Sequence, residues 1–225
     1  MKTVSAKPPA RPGGPRRRDE ARALYRNGIL DAAERVFAAR GFHGARIQDI
    51  AEEARTAVGT VYNHFEQKED ILRSLIDERV DAVLATLKPA GDEPAAFEAR
   101  LRVRIGRLFD FVALHRSFFQ VAMDCGILLV APTDANRELT GASARRIERF
   151  RGAFRGLVEE GIAEGALEPM EAKHLAAFLG GTIRAFTYGA LLDDDIASLR
   201  DKADLIVKLF LHGAAATPIK RASRR

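Results

Sequence analysis

An all-α fold is predicted by three features of the chain. Apolar residues recur at i, i+3, i+4 and i+7 from Leu24 almost to the C-terminus, the period of a helix with one buried face. Glycine and proline gather where such helices would have to end, at Gly41, at Pro89, Gly91 and Pro94, and at Gly161 and Gly165. No stretch alternates apolar and polar residues as a half-buried strand would. ILLVAP at 127–132 is apolar enough for a strand, but a lone strand has nothing to pair with. About nine helices account for the whole.

Taken in order, residues 1–18 are rich in Pro, Gly and Arg, a composition that favours disorder. A first helix is expected from Asp19, with Asp19 and Glu20 favouring its positive end, and with Leu24, Ile29, Ala33, Val36 and Phe37 on its apolar side. Gly41 ends it as a left-handed cap, and Phe42 folds back onto it. Two short helices follow in IQDIAEEARTAVGTVYNHF, residues 47–65. The first is striped by Ile47, Ile50, Ala51 and Ala54, the second by Val58, Val61, Tyr62 and Phe65. A longer helix spans 68–87. Further helices are expected over 95–115, 117–126, 134–164, 170–192 and 197–213.

The chain has 225 residues, 47% apolar and 30% charged, enough for one large domain or two small ones. No run of eighteen apolar residues exists, so no membrane span is expected. The N-terminus lacks the apolar segment of a secretory signal. A single cysteine, Cys125, leaves no internal disulfide framework; together these point to a cytoplasmic protein. The net charge of +5 is uneven: residues 1–20 carry +4 and 217–225 another +4, while 66–216 sum to −4. Basic ends suit a polyanion such as DNA, and they also serve as solubilising tails.

Only Arg55, Thr56 and Ala57 separate the two short stripes. Helix, three-residue corner, helix is the plan of a DNA-binding helix-turn-helix, and equally that of a helical hairpin inside a core. The face opposite the second stripe favours the first reading. It offers Thr60, Asn63, His64 and the Tyr62 hydroxyl, with Lys68 following, groups that can approach phosphates and base edges without repulsion. Gly59 removes a side chain where a backbone must come close. The acids Asp49, Glu52 and Glu53 fall outside the second helix.

The run Asp49-Ile50-Ala51, then Ala54, then Gly59-Thr60-Val61-Tyr62-Asn63-His64-Phe65 and Lys68 resembles the DNA-binding domain of the TetR family of bacterial transcriptional regulators. The likeness extends upstream to Phe37, Gly41 and Phe42 and covers roughly 45 residues in order and spacing. It implies phosphate contacts from Thr60, Tyr62, His64 and Lys68. It implies that Gln48, Ala57, Val58 and Asn63 face the major groove, and that Val61 and Phe65 enter a small core. The sequence departs from the family at Arg55, where glycine is usual, so a residue with a side chain must adopt whatever the turn needs. Thr56 replaces an aliphatic residue, and its hydroxyl is a candidate cap for the next helix. Ala57 replaces a capping serine, at a cost of about 1 kcal/mol. Arg46 stands where a threonine usually caps the second helix and touches phosphate; as a cation it keeps the phosphate contact and loses the cap. Val58 is apolar, which suits a thymine methyl.

The resemblance further implies domains at 1–19 (a disordered basic arm), 20–65 (the helix-turn-helix), 66–214 (a helical ligand-binding and dimerisation domain) and 215–225 (a basic tail). Two heads about 34–36 Å apart would read a palindromic operator in double-stranded DNA, and Arg16, Arg17 and Arg18 of the arm would add backbone contacts or remain a solvated tail. Homodimerisation is expected through a four-helix interface of the last two helices, with Phe178, Gly181, Phe186, Leu205, Leu209 and Phe210. An inducer pocket for an unknown small molecule is expected among Phe109, Phe111, His115, Phe118, Phe119, Met123, Phe150, Phe154, Phe178, Arg184 and Tyr188; for any single aromatic, ordinary core is the competing reading. Arg184, the sole charge between Lys173 and Asp193, would take an anionic ligand or pair with an acid. Scattered histidines give no metal site, and no cofactor is expected. An enzyme lacks support, there being no nucleophile–base pair, phosphate-binding loop or metal cluster. A ligand-released repressor is the leading reading; a nonspecific DNA-binding or helical interaction protein without an inducer is the alternative.

Overall fold

The computed structural model describes residues 15–91, 93–126 and 144–212. Nine α-helices and one short 3-10 turn are formed among them, with no strand. ILLVAP, the expected helix residues 134–143, the basic tail and the arm before Pro15 lie outside the described residues.

Helix α1 runs Pro15–Gly44, with a break at Gly41, whose φ of 68° and ψ of 161° are open to glycine. It starts earlier than Asp19, so Arg16–Arg18 belong to its first turn and are not an irregular arm. Proline at the first helical position explains the early start, since its fixed φ suits that place and its missing N–H is an orphan there. Helices α2 (Ile47–Glu53) and α3 (Val58–Tyr62) complete the head, and α4 (Lys68–Thr86) leads out of it. The head's core is Ile29, Leu30, Ala33, Phe37, Phe42, Ile50, Val61 and Phe65, all buried. Val61 and Phe65 thus occupy the core positions expected of them.

The body comprises α5 (Phe97–Leu114), α6 (Arg116–Asp124), α7 (Ala144–Ala163), α8 (Ala172–Leu192) and α9 (Lys202–His212), with the 3-10 turn Ile196–Ser198 before α9. Helix α1 packs on α2, α4 and α6, so the head rests on the body through α6 as well as through α4. Helices α7 and α8 form the most extensive pair. Their connection turns at Gly165, φ +72°. Close approach is set by Gly161, where a Cβ would stand 2.6 Å from Phe97 Cζ, and by Gly180, where it would stand 3.0 Å from Phe154 Cδ2.

Two ion clusters hold elements together. Arg79 of α4 donates from Nη2 to Glu34 Oε2 (2.7 Å) and to Asp31 Oδ1 (3.1 Å) of α1, and Arg79 and Glu34 are both buried. Arg104 of α5, 2% exposed, donates from Nη2 to Glu93 Oε2 (2.7 Å) and from Nη1 to Glu160 Oε2 (2.9 Å) of α7. Buried guanidinium groups need such partners, because removing one leaves an uncompensated charge.

Candidate nucleic-acid interface

Helix α2 begins without a side-chain acceptor at Arg46, which has none to give. Asp49, three residues on, supplies the bond in the other direction. Its Oδ2 accepts the Arg46 backbone N–H at 2.9 Å, and its Oδ1 meets Arg40 Nη1 at 2.7 Å. The hydrogen bond from the Arg46 side chain is the largest influence holding the Asp49 carboxyl below its ordinary range; burial pushes the other way and is overcome. The lost threonine cap is thereby half replaced, while the Arg46 side chain stays 73% exposed. Gln67 and Asp70 repeat the device at the start of α4, N–H to Oδ2 at 3.2 Å.

The corner closes by two backbone bonds, Arg55 N–H to Glu52 O (3.0 Å) and Thr56 N–H to Ala51 O (2.9 Å). That pair defines a Schellman motif, which places Arg55 in the left-handed region; its φ is +52°. A side chain there costs about 1–2 kcal/mol, the strain expected from the sequence. Ala57 then starts α3 in an extended conformation with no side-chain cap. The Thr56 hydroxyl does not cap α3 either: it precedes the capping position by one residue, and the helix has no side-chain cap bond. Helix α3 is regular only to Tyr62; Asn63 and His64 stand on the turn that follows, with His64 N–H bonded to Val61 O at 3.0 Å.

Gln48, Ala57, Tyr62 and Asn63 are exposed, and Val58, Thr60, His64 and Lys68 are half-buried. All nine residues expected at the interface, Arg46 included, are therefore accessible. Lys68 is the one whose chemistry differs from the expectation. Its Nζ donates to Phe42 O (2.7 Å), Ala45 O (2.8 Å) and His43 O (3.4 Å) and lies 4.6 Å from the Phe42 ring centroid. An ammonium has three N–H donors, and all three are turned to the carbonyls at the end of α1. Lys68 is thus a clasp within the head; what it offers a phosphate is its charge and not a free N–H. His64 has its pKa lowered, first by burial and then by the fields of Arg22 and Arg26, which favours the neutral imidazole.

Sequence reasoning missed three residues on this side. Asp49 was legible as the acid three positions after the helix start. Arg22 and Arg26 carry the i, i+4 spacing of one helix face; Arg26 Cζ lies 5.5 Å from the Phe65 ring centroid.

In the body, Phe109, Phe118, Phe119 and Phe154 are buried core, while Phe111, His115, Met123, Phe150, Arg184 and Tyr188 are half-buried. Phe111 stacks near His115 (4.3 Å between centroids) and edge-on to Phe119 (6.3 Å). Arg184 has no acid partner among the described residues. Phe178, expected in both pocket and interface, belongs to the outside: it is 57% exposed and stacks on Phe210 at 6.2 Å. It cannot line a pocket that α8's inner face would bound. Two hollows formed among the described residues lie elsewhere. One of about 470 Å³ lies between α1 and the end of α2, lined by Asp31, Arg35, Glu52, Glu53 and Arg55. A groove of about 630 Å³ separates α4 and α7, with Leu84, Leu87, Ala153 and Leu157 along it and Lys88 and Arg149 beside it. Among the described residues, no three His, Cys, Asp or Glu converge as metal ligands. Helix α8 is long and apolar enough to cross a membrane by length and composition alone; its apolar character is diluted by small residues, so no unbroken run betrays it in the sequence.

Residues 29–75 match the family described as bacterial regulatory proteins, tetR family. The chain is 25% identical over 186 residues to the fatty acid metabolism regulator protein of Bacillus subtilis, covering 82% of this chain and 93% of that protein. It is 28% identical to the HTH-type transcriptional repressor KstR2 of Rhodococcus jostii over 63% of this chain and 67% of that one. Its fold matches the crystal structure of FadR from Bacillus subtilis in complex with stearoyl-CoA, with a TM-score of 0.70 at 24% identity over 84% of this chain and 99% of the other. FadR from Bacillus halodurans gives a TM-score of 0.71 at 22% identity over the same shares.

Proposed function

Because residues 29–75 match the tetR family of bacterial regulatory proteins, we propose that the chain is a member of it: a cytoplasmic, dimeric, sequence-specific DNA-binding regulator, a repressor released by a small-molecule ligand. The observation that carries this is the exposed surface on and after α3, where Thr60, Tyr62, Asn63 and His64 stand free of acids while Val61 and Phe65 anchor the helix beneath. Arg46, Thr60, Tyr62 and His64 hold phosphates; Gln48, Ala57, Val58 and Asn63 meet base edges, with Lys68 adding charge from behind. The head corresponds to residues 20–65 and the ligand-binding and dimerising body to 66–214.

Dimerisation through α8 and α9 is supported by their outer face. Phe178, Leu192 and Leu205 are exposed there, with Gly181, Phe186, Leu209 and Phe210 half-buried between them, an apolar surface of the kind that homodimers cover. Ligand control is supported by the groove along α4, the helix that carries the head. Gly152 and Gly156 line it, and nothing lies within 4 Å of where their Cβ atoms would be; packing does not require these glycines, whereas an open groove does. The stearoyl-CoA held by the Bacillus subtilis relative makes long-chain acyl-CoA the first ligand class to test. Release then follows if ligand favours a head spacing that no longer fits the operator.

Selection of bound duplex from a random pool by the full chain is expected to return a palindrome. Asn63→Ala should weaken binding to the selected duplex about tenfold or more while sparing unselected DNA. A pool in which no sequence is enriched favours the nonspecific alternative.

A further inference from the structure

Helix α3 is poorly held by its own length. It has five residues and α2 has seven, each too few to persist alone in water. Helix α3 packs mainly on α2, and α2 in turn on α1. No side chain caps the start of α3, and the corner before it contains the left-handed Arg55. Its seat therefore depends on how the two ends of the segment around it are fixed.

One side chain joins those ends. Ala45 directly follows α1 and Lys68 opens α4. Lys68 Nζ donates to Ala45 O at 2.8 Å and to Phe42 O at 2.7 Å, and lies 4.6 Å from the Phe42 ring centroid. Ala45 and Phe42 are both buried, and the Phe42 ring packs against Phe37 at 5.3 Å, so the anchor is part of the head's core. An ammonium suits these carbonyls on two counts. Its three N–H groups radiate from one atom, and its charge complements the negative end of α1. The bond to Ala45 closes residues 45–68 into a ring that contains α2, the corner and α3. Gln48, Ala57, Val58 and Asn63, assigned above to base edges, all lie inside it.

A lysine that only met phosphate would strengthen binding to every sequence alike, because the backbone carries no sequence information. A lysine that seats α3 acts on a different quantity. Base contacts require donors and acceptors within about 3 Å of their partners, so a loosened α3 loses discrimination before it loses attraction to DNA.

We propose that Lys68 is a positioning residue for base reading: by joining the two ends of the 45–68 segment it seats α3, and so sets sequence discrimination more than general affinity. This rests on the regulator reading above.

The test compares the full chain with two variants. Lys68→Met keeps an apolar stem and removes the donors. Lys68→Arg keeps the charge but spreads its donors over a planar fork that cannot converge on the same carbonyls. Hydrogen exchange is measured first, on the free chains. The Asn63 and Phe65 amides, bonded to Gly59 O and Val61 O at 3.0 and 2.9 Å, should exchange about tenfold faster in both variants, with α5 unchanged. Binding is then measured to the duplex that the parent chain selects from a random pool and to a scrambled duplex. The ratio of the two affinities should fall about tenfold in both variants. Parent-like exchange with an unchanged ratio overturns the proposal and leaves the regulator reading standing. So does equal weakening on both duplexes, or full rescue by arginine, since each marks Lys68 as a charge and nothing more. A parent chain that enriches no sequence overturns the regulator reading itself, whatever the exchange shows.

Discussion

Two corners of this molecule are closed by the same backbone pattern and filled by different residues. Between α2 and α3, Arg55 and Thr56 donate to Glu52 O and Ala51 O; after α7, Gly165 and Ala166 donate to Ile162 O and Gly161 O at 3.1 and 2.9 Å. Both put one residue in the left-handed region, Arg55 at φ +52° and Gly165 at φ +72°. The body uses glycine there and the head uses arginine. The hydrogen bonds of a helix end fix the conformation; the residue decides only how much strain accompanies it. The body's corner is built for packing, with Gly161 pressed against Phe97 and Leu167, whereas the head's corner keeps strain beside its working surface.

The body corner breaks most readily at Gly161. Gly161→Ala would place Cβ 2.6 Å from Phe97 Cζ and 2.8 Å from Leu167 Cδ1. Overpacking costs about 1–3 kcal/mol, partly offset by about 1 kcal/mol of helix propensity, so chemical denaturation should report a net loss. In the head the changes run the other way. Ala57→Ser restores a side-chain cap to α3 and should add about 1 kcal/mol in the same measurement. Arg55→Gly relieves about 1–2 kcal/mol of left-handed strain but frees the unfolded chain by about 0.4–1 kcal/mol. The net gain is therefore the smaller of the two, and equal or lower stability would show that Arg55 is held there by contacts that outweigh its backbone. The least effect is expected with pH. Arg46 keeps the Asp49 carboxyl below its ordinary range, so its contribution is complete above the usual aspartate pKa and is lost as pH falls through the lowered value. Asp49→Asn should flatten that acid limb of the thermal melting profile.

Much of this was legible in the sequence because it depends on local periodicity. The stripes Ile47, Ile50, Ala51 and Val58, Val61, Phe65 set both short helices, and Gly41 and Gly165 marked true stops. The early start at Pro15 was also written there, but the Pro, Gly and Arg composition around it outweighed a single N-terminal proline. What the sequence hid are contacts between distant residues. Nothing near Lys68 reveals that its ammonium is spent on carbonyls of Phe42 and Ala45. Phe109 and Phe178 are the same residue type at similar helical spacing, yet one is core and the other lies outside, because burial depends on which helix arrives opposite. The choice between pocket and core for the aromatics required that packing.

The Arg79–Glu34 pair carries a mechanical consequence. By riveting α1 to α4 near the middle of the latter, it makes the reading surface and α4 a single stiff boom. Helix α4 is about 28 Å long, so rocking it by roughly five degrees about one end would swing the other by about 2.5 Å, most of the roughly 3.4 Å between successive nucleotides of one strand.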